Sequence, residues 1–206
     1  MLSLTRREGE AISIGTEVEV VILGVSKGRV RLGIRAPREI AVHRAEVVAR
    51  IEEENVRALA SHATQQVAPD SSIAFPAGLY GLSQHRQFLL CDFGDSTTFR
   101  ALVSSKDAAV QLLVVDVTQV WPDYPLADAQ RAAGFDDEEV VVAAVATAPA
   151  DGSAVTVNLL APLVIAVESR RGVQVILDRS ELGVAHTLVS EGPEQSATQY
   201  APAPAE

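Results

Sequence analysis

Residues 1–44 place the hardest constraint on this chain: they read as short strands separated by glycine turns, and they are too few to enclose a core. Glu17–Leu23 and Arg29–Ile34 alternate or run apolar with β-branched enrichment, and Ser26-Lys27-Gly28 between them holds the glycine of a short hairpin loop. Gly9 and Gly15 punctuate an earlier strand over Ala11–Ile14. Ala36-Pro37 marks a turn, and Ile40–His43 reads as a last short strand. Five strands in so short a segment need a partner, and a twofold dimer that exchanges strands is the least costly solution. If the first strand of one chain lies beside the last strand of the other, Arg6-Arg7 and His43-Arg44 converge on one basic site, and symmetry supplies two. Guanidinium groups near an exposed strand edge suit RNA, because they contact phosphates and stack on or bond the bases of an unpaired loop. The alternative at this level is that Arg6, Arg7 and Arg44 are ordinary solvated surface residues.

At Arg44 the period changes. Ala45 to about Ala60 is free of Gly and Pro and rich in helix formers, with Glu46/Arg50 and Glu53/Arg57 as favourable i,i+4 pairs on a solvated face. Val47, Val48 and Ile51 form one apolar stripe, and Val56 and Leu59 form a second, rotated off the first. Either the helix frays near its end or a second apolar face awaits a partner. Residues 61–72 are rich in Ser, Gln, Asp and Pro and read as a linker, which leaves 1–60 as a first domain. Residues 73–190 read as a second domain, with strands over Gln87–Cys91, Phe99–Ser104, Gln111–Val117, Val140–Ala146, Val155–Leu159, Leu163–Glu168 and Val173–Leu177. Leu126–Ala133, ahead of Gly134, is a short helix. So many short strands imply a sandwich or barrel. Residues 191–206 are Ser/Pro/Glu/Ala-rich and are expected to be disordered.

Charge is unevenly shared. The chain carries a net −10, yet residues 1–61 hold ten Lys/Arg against nine Asp/Glu, and residues 62–206 hold seven against eighteen. An acidic total argues against general nucleic-acid binding but not against a local basic site. No apolar run is long enough for a bilayer span, and Met1–Arg7 lacks a charged-then-apolar signal pattern, so a cytoplasmic location is expected. The single cysteine, Cys91, rules out an internal disulfide, and no Cys/His cluster has zinc spacing, so neither metal nor cofactor is expected. His62, His85 and His186 are isolated in sequence. Gly78-x-x-Gly81 lacks the Lys and Ser/Thr of a phosphate loop, and Asp136-Asp137-Glu138-Glu139 reads as a solvated acidic loop. No residue constellation supports catalysis, so no enzyme activity is expected.

Two runs of residues carry family resemblances. Leu4-Thr5-Arg6-Arg7-x-Gly9-Glu10, Ile14-Gly15, Leu23-Gly24-Val25, Val30-Arg31-x-Gly33, Ala36-Pro37 and Ala41-Val42-His43-Arg44 fall in a register that needs no gap, and residues 1–60 closely resemble the carbon storage regulator CsrA (RsmA) family. That resemblance implies an intertwined homodimer binding GGA motifs, often in hairpin loops of messenger RNA leaders, and usually blocking the ribosome. By position it implies RNA contacts from Leu4, Arg6, Arg7, Val42 and Arg44, with Thr5 and His43 nearby. Ser3 stands where that family usually has a large aliphatic residue, and Arg35 where it usually has an uncharged one.

Farther on come Ile73-x-Phe75-Pro76-x-Gly78-Leu79-x-Gly81, Phe88-Leu89-Leu90, Leu112–Asp116 and Pro122-Asp123-Tyr124. They are followed by Val157-Asn158-Leu159-x-Ala161-Pro162-Leu163-Val164-Ile165 and Arg171-Gly172-x-Gln174-Val175-Ile176-Leu177. In this order they resemble the flagellar assembly factor FliW family. The resemblance implies a small antiparallel β-barrel without enzymatic activity that binds CsrA, relieves its repression and also binds flagellin.

The expected fold is therefore mainly β: a five-stranded intertwined-dimer domain with one C-terminal helix, followed by a small antiparallel β-barrel. A linker of about eleven residues reaches roughly 18 Å, which holds the two halves at an effective concentration on the order of millimolar. Val56 and Leu59, at the helix end from which the linker leaves, are the candidates for docking between the domains, within a chain or across the dimer. The expected function is an RNA-binding repressor of flagellar genes, restrained by its own barrel and released by flagellin. The alternative is a flagellin-binding assembly factor or chaperone whose first domain serves mainly as a dimeriser, motivated by Ser3 and the acidic total.

Overall fold

Lys27 and Gly28 both take positive φ, 46° and 74°. They close a two-residue turn that suits the right-handed twist of the strands on either side. In the computed structural model, which describes residues 2–37, 40–59, 72–94, 96–149, 151 and 153–188, this turn joins β2 (Val18–Ser26) to β3 (Arg29–Arg35), with Ser26 paired to Arg29. β1 (Ala11–Ile14) pairs with the other edge of β2, giving a three-stranded antiparallel sheet ordered β1-β2-β3. Arg6-Arg7, placed on the first strand, and Ile40–His43, read as the last, lie in no strand. The exchange reading places each of them beside the other copy.

Two compact units divide between Arg44 and Ala45. The first has no interior: none of its described hydrophobic side chains is buried, and ten of the fourteen exposed large hydrophobics among the described residues belong to it. Leu23, Val25, Val30, Leu32 and Ile34 all stand open on the β2–β3 hairpin.

The second unit begins with the helix α1 (Ala45–Arg57) and continues as a β-barrel. Its strands are β4 (Ser72–Ala74), β5 (Gln87–Asp92), β6 (Phe99–Ser104), β7 (Gln111–Asp116), β8 (Val140–Thr147), β9 (Thr156–Ala166), β10 (Gly172–Gln174) and β11 (His186–Thr187). They run antiparallel in the order β10-β9-β8-β7-β6-β5-β4, with β11 also on β9. A parallel bridge between Ala74 and Arg171, with Ala74 N–H donating to the Arg170 carbonyl at 2.9 Å, nearly closes the sheet on itself. Short helices α2 (Val117–Val120) and α3 (Leu126–Ala133) lie between β7 and β8, and α3 ends on Gly134 at φ 72°. Its core gathers Leu113, Val115, Val142, Ala144, Leu159 and Val164 among others.

One expectation changes on contact with the structure. The strands expected at Val155–Leu159 and Leu163–Glu168 are one continuous strand, β9. Its register shifts between the Ala143–Leu163 and Val145–Asn158 pairs, and Pro162 falls in that interval, where its missing N–H breaks no ladder bond. The linker assigned to 61–72 and the tail assigned to 191–206 lie outside the described residues, apart from Ser72, which opens β4.

Candidate functional site

Val47 and Ile51 of α1, and Ala58 and Leu59 just after it, are the apolar residues that face the barrel. Offsets of 4 and 11 residues from Val47 keep Ile51 and Ala58 on its side, and Asn55, one turn after Ile51, lies beside them. Ile51 and Asn55 are both 0% exposed, so a carboxamide fills the middle of an apolar stripe. Ile51 packs with Ala161 and Val184, and Leu59 makes an isolated bridge to Leu112 of β7.

Asn55 is held by hydrogen bonds in both directions. Its Nδ2 donates to the Tyr80 carbonyl at 2.9 Å and to Gln174 Oε1 at 2.8 Å, and its Oδ1 accepts from Gln174 Nε2 at 3.3 Å. Gln174, also buried, takes two further bonds from the barrel: Tyr80 N–H donates to Oε1 at 3.0 Å, and Nε2 donates to the Ala161 carbonyl at 3.1 Å. A buried amide with every polar atom paired costs little to bury, whereas an unpaired one costs more than the bond was worth, so the network fixes the helix in one register. Gly81, at φ 75°, lets the loop approach the helix; a Cβ there would lie 3.0 Å from the Glu52 carbonyl oxygen. Beside this contact is a cavity of about 390 Å³ lined by Glu52, Leu79, Tyr80, Ser83 and Gln174 among others. Burial and, less, the Glu52 carboxylate raise the Tyr80 phenol above its ordinary pKa.

Of the two residues expected to dock, Leu59 is half-buried against the barrel core, while Val56 is 49% exposed. Sequence reading passed over Asn55 because it searched for apolar stripes. The available signal was that Asn55 stands one turn after Ile51, beside the face that Val47 and Ile51 share.

In the first unit Leu4, Thr5, Arg6, Arg7, Val42, His43 and Arg44 are all exposed. Arg6 Nη1 donates to the Thr5 carbonyl at 2.9 Å, and the Arg7 N–H donates to Glu10 Oε2 at 2.7 Å. Arg35 is tied to Glu19 across β2 and β3 at 2.5 Å, so its charge is locally compensated. The single chain pairs neither the Leu4–Arg7 nor the Val42–Arg44 segment into a strand.

The remaining candidates are structural. His85 Nδ1 lies 2.8 Å from the buried Ser104 hydroxyl, and the His186 ring sits 5.1 Å from that of Trp121. His62 lies outside the described residues. Cys91 is buried, which raises its thiol pKa. Among the described residues no group of three or more His, Cys, Asp or Glu is arranged to hold a metal ion, and no helix is long and apolar enough to cross a membrane.

Comparison with known proteins matches two stretches of the chain, and the first runs past the boundary at Arg44 into α1. The model of the FliW protein family matches residues 58–188, and that of the global regulator protein family, CsrA, matches residues 1–53. Asn55 falls in the short interval between the two matches. A crystal structure of the flagellar assembly factor FliW has a TM-score of 0.53 and 24% identity, covering 64% of this chain and 94% of that one; at this identity the likeness is one of fold.

Proposed function

The chain belongs to the FliW family and carries a CsrA segment fused at its amino terminus, and we propose that it is a self-restrained post-transcriptional regulator. Two copies join through the exposed apolar faces of their first units. Leu4, Thr5, Arg6 and Arg7 of one copy then lie beside Val42, His43 and Arg44 of the other and grip GGA-containing loops of messenger RNA leaders. The barrel holds α1, and docked α1 keeps the RNA site in a low-affinity state. Flagellin bound to the barrel favours release. The work is binding rather than catalysis, and it takes place in the cytoplasm.

The observation that carries this reading is the burial of α1. The helix follows Arg44 without a break in the chain, and its Ile51 and Asn55 are wholly enclosed by the barrel. A residue proposed to touch RNA is thus covalently next to an element the barrel immobilises. The empty interior of the first unit supports the dimer, because an apolar sheet face of this kind is stable only when covered.

The test is the affinity of the full chain for a GGA hairpin at fixed salt, with and without added flagellin. Flagellin should tighten RNA binding, and a hairpin with GGA scrambled should bind weakly in both conditions. Equal affinity for both hairpins would overturn the RNA assignment. Equal affinity with and without flagellin would remove flagellin as the releasing ligand. If the chain proves monomeric at the concentrations used, the composite RNA site fails with it.

A further inference from the structure

The cavity of about 390 Å³ beside the helix has walls from two sources. α1 supplies Glu52, and the barrel supplies the rest, from the loop 76–83 and from Gly172 to Gln174 of β10. A space enclosed by both exists only while α1 is docked. Glu52 is the one charged residue of its lining, and among the described residues no ion pair joins that carboxylate to a cation. Burial first, and the Glu52 carboxylate second, raise the Tyr80 phenol above its ordinary pKa, so the phenol stays neutral and the carboxylate remains the only charge. Glu52 is exposed and stands at the rim, whereas Leu79 and Gln174 are buried. The buried part asks for no polar partner: the Gln174 amide is already bonded to Asn55, to the Tyr80 N–H and to the Ala161 carbonyl, and Leu79 and Val173 offer hydrocarbon. A lone carboxylate over an apolar interior suits a positive head on an aliphatic body. An anion would meet repulsion there, and a neutral polar molecule would leave the charge unanswered.

We propose that this cavity binds a small organic cation, an ammonium on a short aliphatic chain, and that the bound cation fastens α1 to the barrel. The ligand touches the helix through Glu52 and the barrel through Leu79 and Val173, so it binds the docked state and not the free one. Such a ligand stabilises docking by mass action: at ten times its dissociation constant it lowers the undocked fraction about elevenfold. By reciprocity, loosening α1 weakens the ligand by the factor the ligand gives to docking. The effect is opposite in sign to release, and it needs only the modest contact that one edge of the interface can supply. It rests on the docking of α1 described above but not on any consequence of that docking for RNA.

The probe is n-butylammonium chloride, titrated into the full chain by saturation-transfer NMR, with sodium chloride holding ionic strength constant. It should bind with a dissociation constant on the order of millimolar, n-butanol should bind at least about tenfold more weakly, and n-butyrate should not bind. n-Pentylammonium should bind about two- to fourfold more tightly than n-butylammonium, because one more methylene leaves water. Hydrogen exchange of the α1 amides should slow about elevenfold at ten times the dissociation constant. Glu52→Gln should weaken the amine at least about tenfold while leaving α1 exchange without ligand unchanged, since that side chain lies outside the Asn55 network. Asn55→Ala, which leaves the lining residues intact but frees the helix, should also weaken the amine, and Ile51→Ala serves the same purpose should that chain not fold. No saturable binding of either amine would overturn the proposal, as would equal binding of butylammonium and butanol, or undiminished binding to Glu52→Gln. Binding that leaves α1 exchange unchanged would show that the cation does not bridge helix and barrel. Neither readout involves RNA, so an RNA effect that fails to appear leaves this result standing.

Discussion

Asn55→Ala perturbs docking directly, because the side chain's hydrogen bonds lie within the helix–barrel contact. Truncation removes bonds of 2.8 and 2.9 Å from Nδ2 and a longer one of 3.3 Å to Oδ1. Gln174 keeps its two barrel partners, so the main orphan is the part-buried Tyr80 carbonyl. At about 0.5–1 kcal/mol net for each of the two well-formed bonds, and about another 1–2 kcal/mol for the orphan, the loss is about 2–4 kcal/mol. That moves the docking equilibrium by roughly 30- to 700-fold toward free α1. If RNA binds tightly only when α1 is free, apparent affinity for a GGA hairpin rises by up to that factor and levels off once the free state dominates. Hydrogen exchange of the α1 amides measures docking, and anisotropy of a labelled hairpin at one salt concentration measures RNA binding. Faster exchange with unchanged RNA affinity would refute the coupling. Unchanged exchange would refute the energetic argument itself, because the amide bonds would then contribute nothing to holding the helix. Asn55→Asp should go further in the same direction, since it cannot donate and would bury a charge.

Other outcomes follow from single contacts. Arg44→Ala should weaken hairpin binding by about 1–3 kcal/mol if the guanidinium reads a base, and a hairpin with scrambled GGA should lose far less, as competition binding would show. A Cβ at Gly172 would meet the buried Phe75 ring at 2.4 to 2.9 Å, so Gly172→Ala should lower barrel stability by about 1–3 kcal/mol in a denaturant melt. Burial raises the Tyr124 phenol well above its ordinary pKa, and its hydroxyl donates to the Leu159 carbonyl at 2.6 Å. A raised folded-state pKa means that its stabilising contribution is complete below about pH 10 and is lost as the unfolded chain ionises above that. The stability gap between wild type and Tyr124→Phe should therefore be flat through neutral pH and close under alkaline conditions in melts run across that range.

The β2–β3 hairpin was legible because its turn is local: Lys27 and Gly28 sit between two alternating runs and need nothing distant to define them. α3 was legible to the residue because Gly134 ends it in a left-handed conformation. β9 was misread as two strands because proline normally ends a strand, and only the register shift on β8 shows why Pro162 does not. β4 and β11 are three and two residues long and exist through pairing with distant partners, which no local pattern announces. Leu59 belongs to an apolar pattern, but Asn55 reads as a surface residue until Gln174, far along the chain, supplies its partner.

How firmly α1 is held decides what kind of ligand can release it. Burying Ile51 is worth about 1.5–3 kcal/mol, and the Asn55 network about 2–4 kcal/mol, before the order lost by the helix and loop is subtracted. A net docking energy of even half that sum leaves about one molecule in a hundred undocked, and turning such a population over requires a ligand that prefers the free state by about 10⁴-fold. A small molecule in the cavity beside Glu52 and Tyr80 would touch one edge of the contact, which is too little differential contact for that shift. A protein that covers a broad patch of the barrel can supply it, which fits a folded macromolecular signal better than a metabolite. The same arithmetic predicts a graded series: Leu59→Ala, which loosens only the half-buried end of the contact, should need less of the releasing protein than wild type, and Asn55→Ala should need none. If both variants required as much as wild type in an RNA-binding titration, release would not proceed through α1 at all.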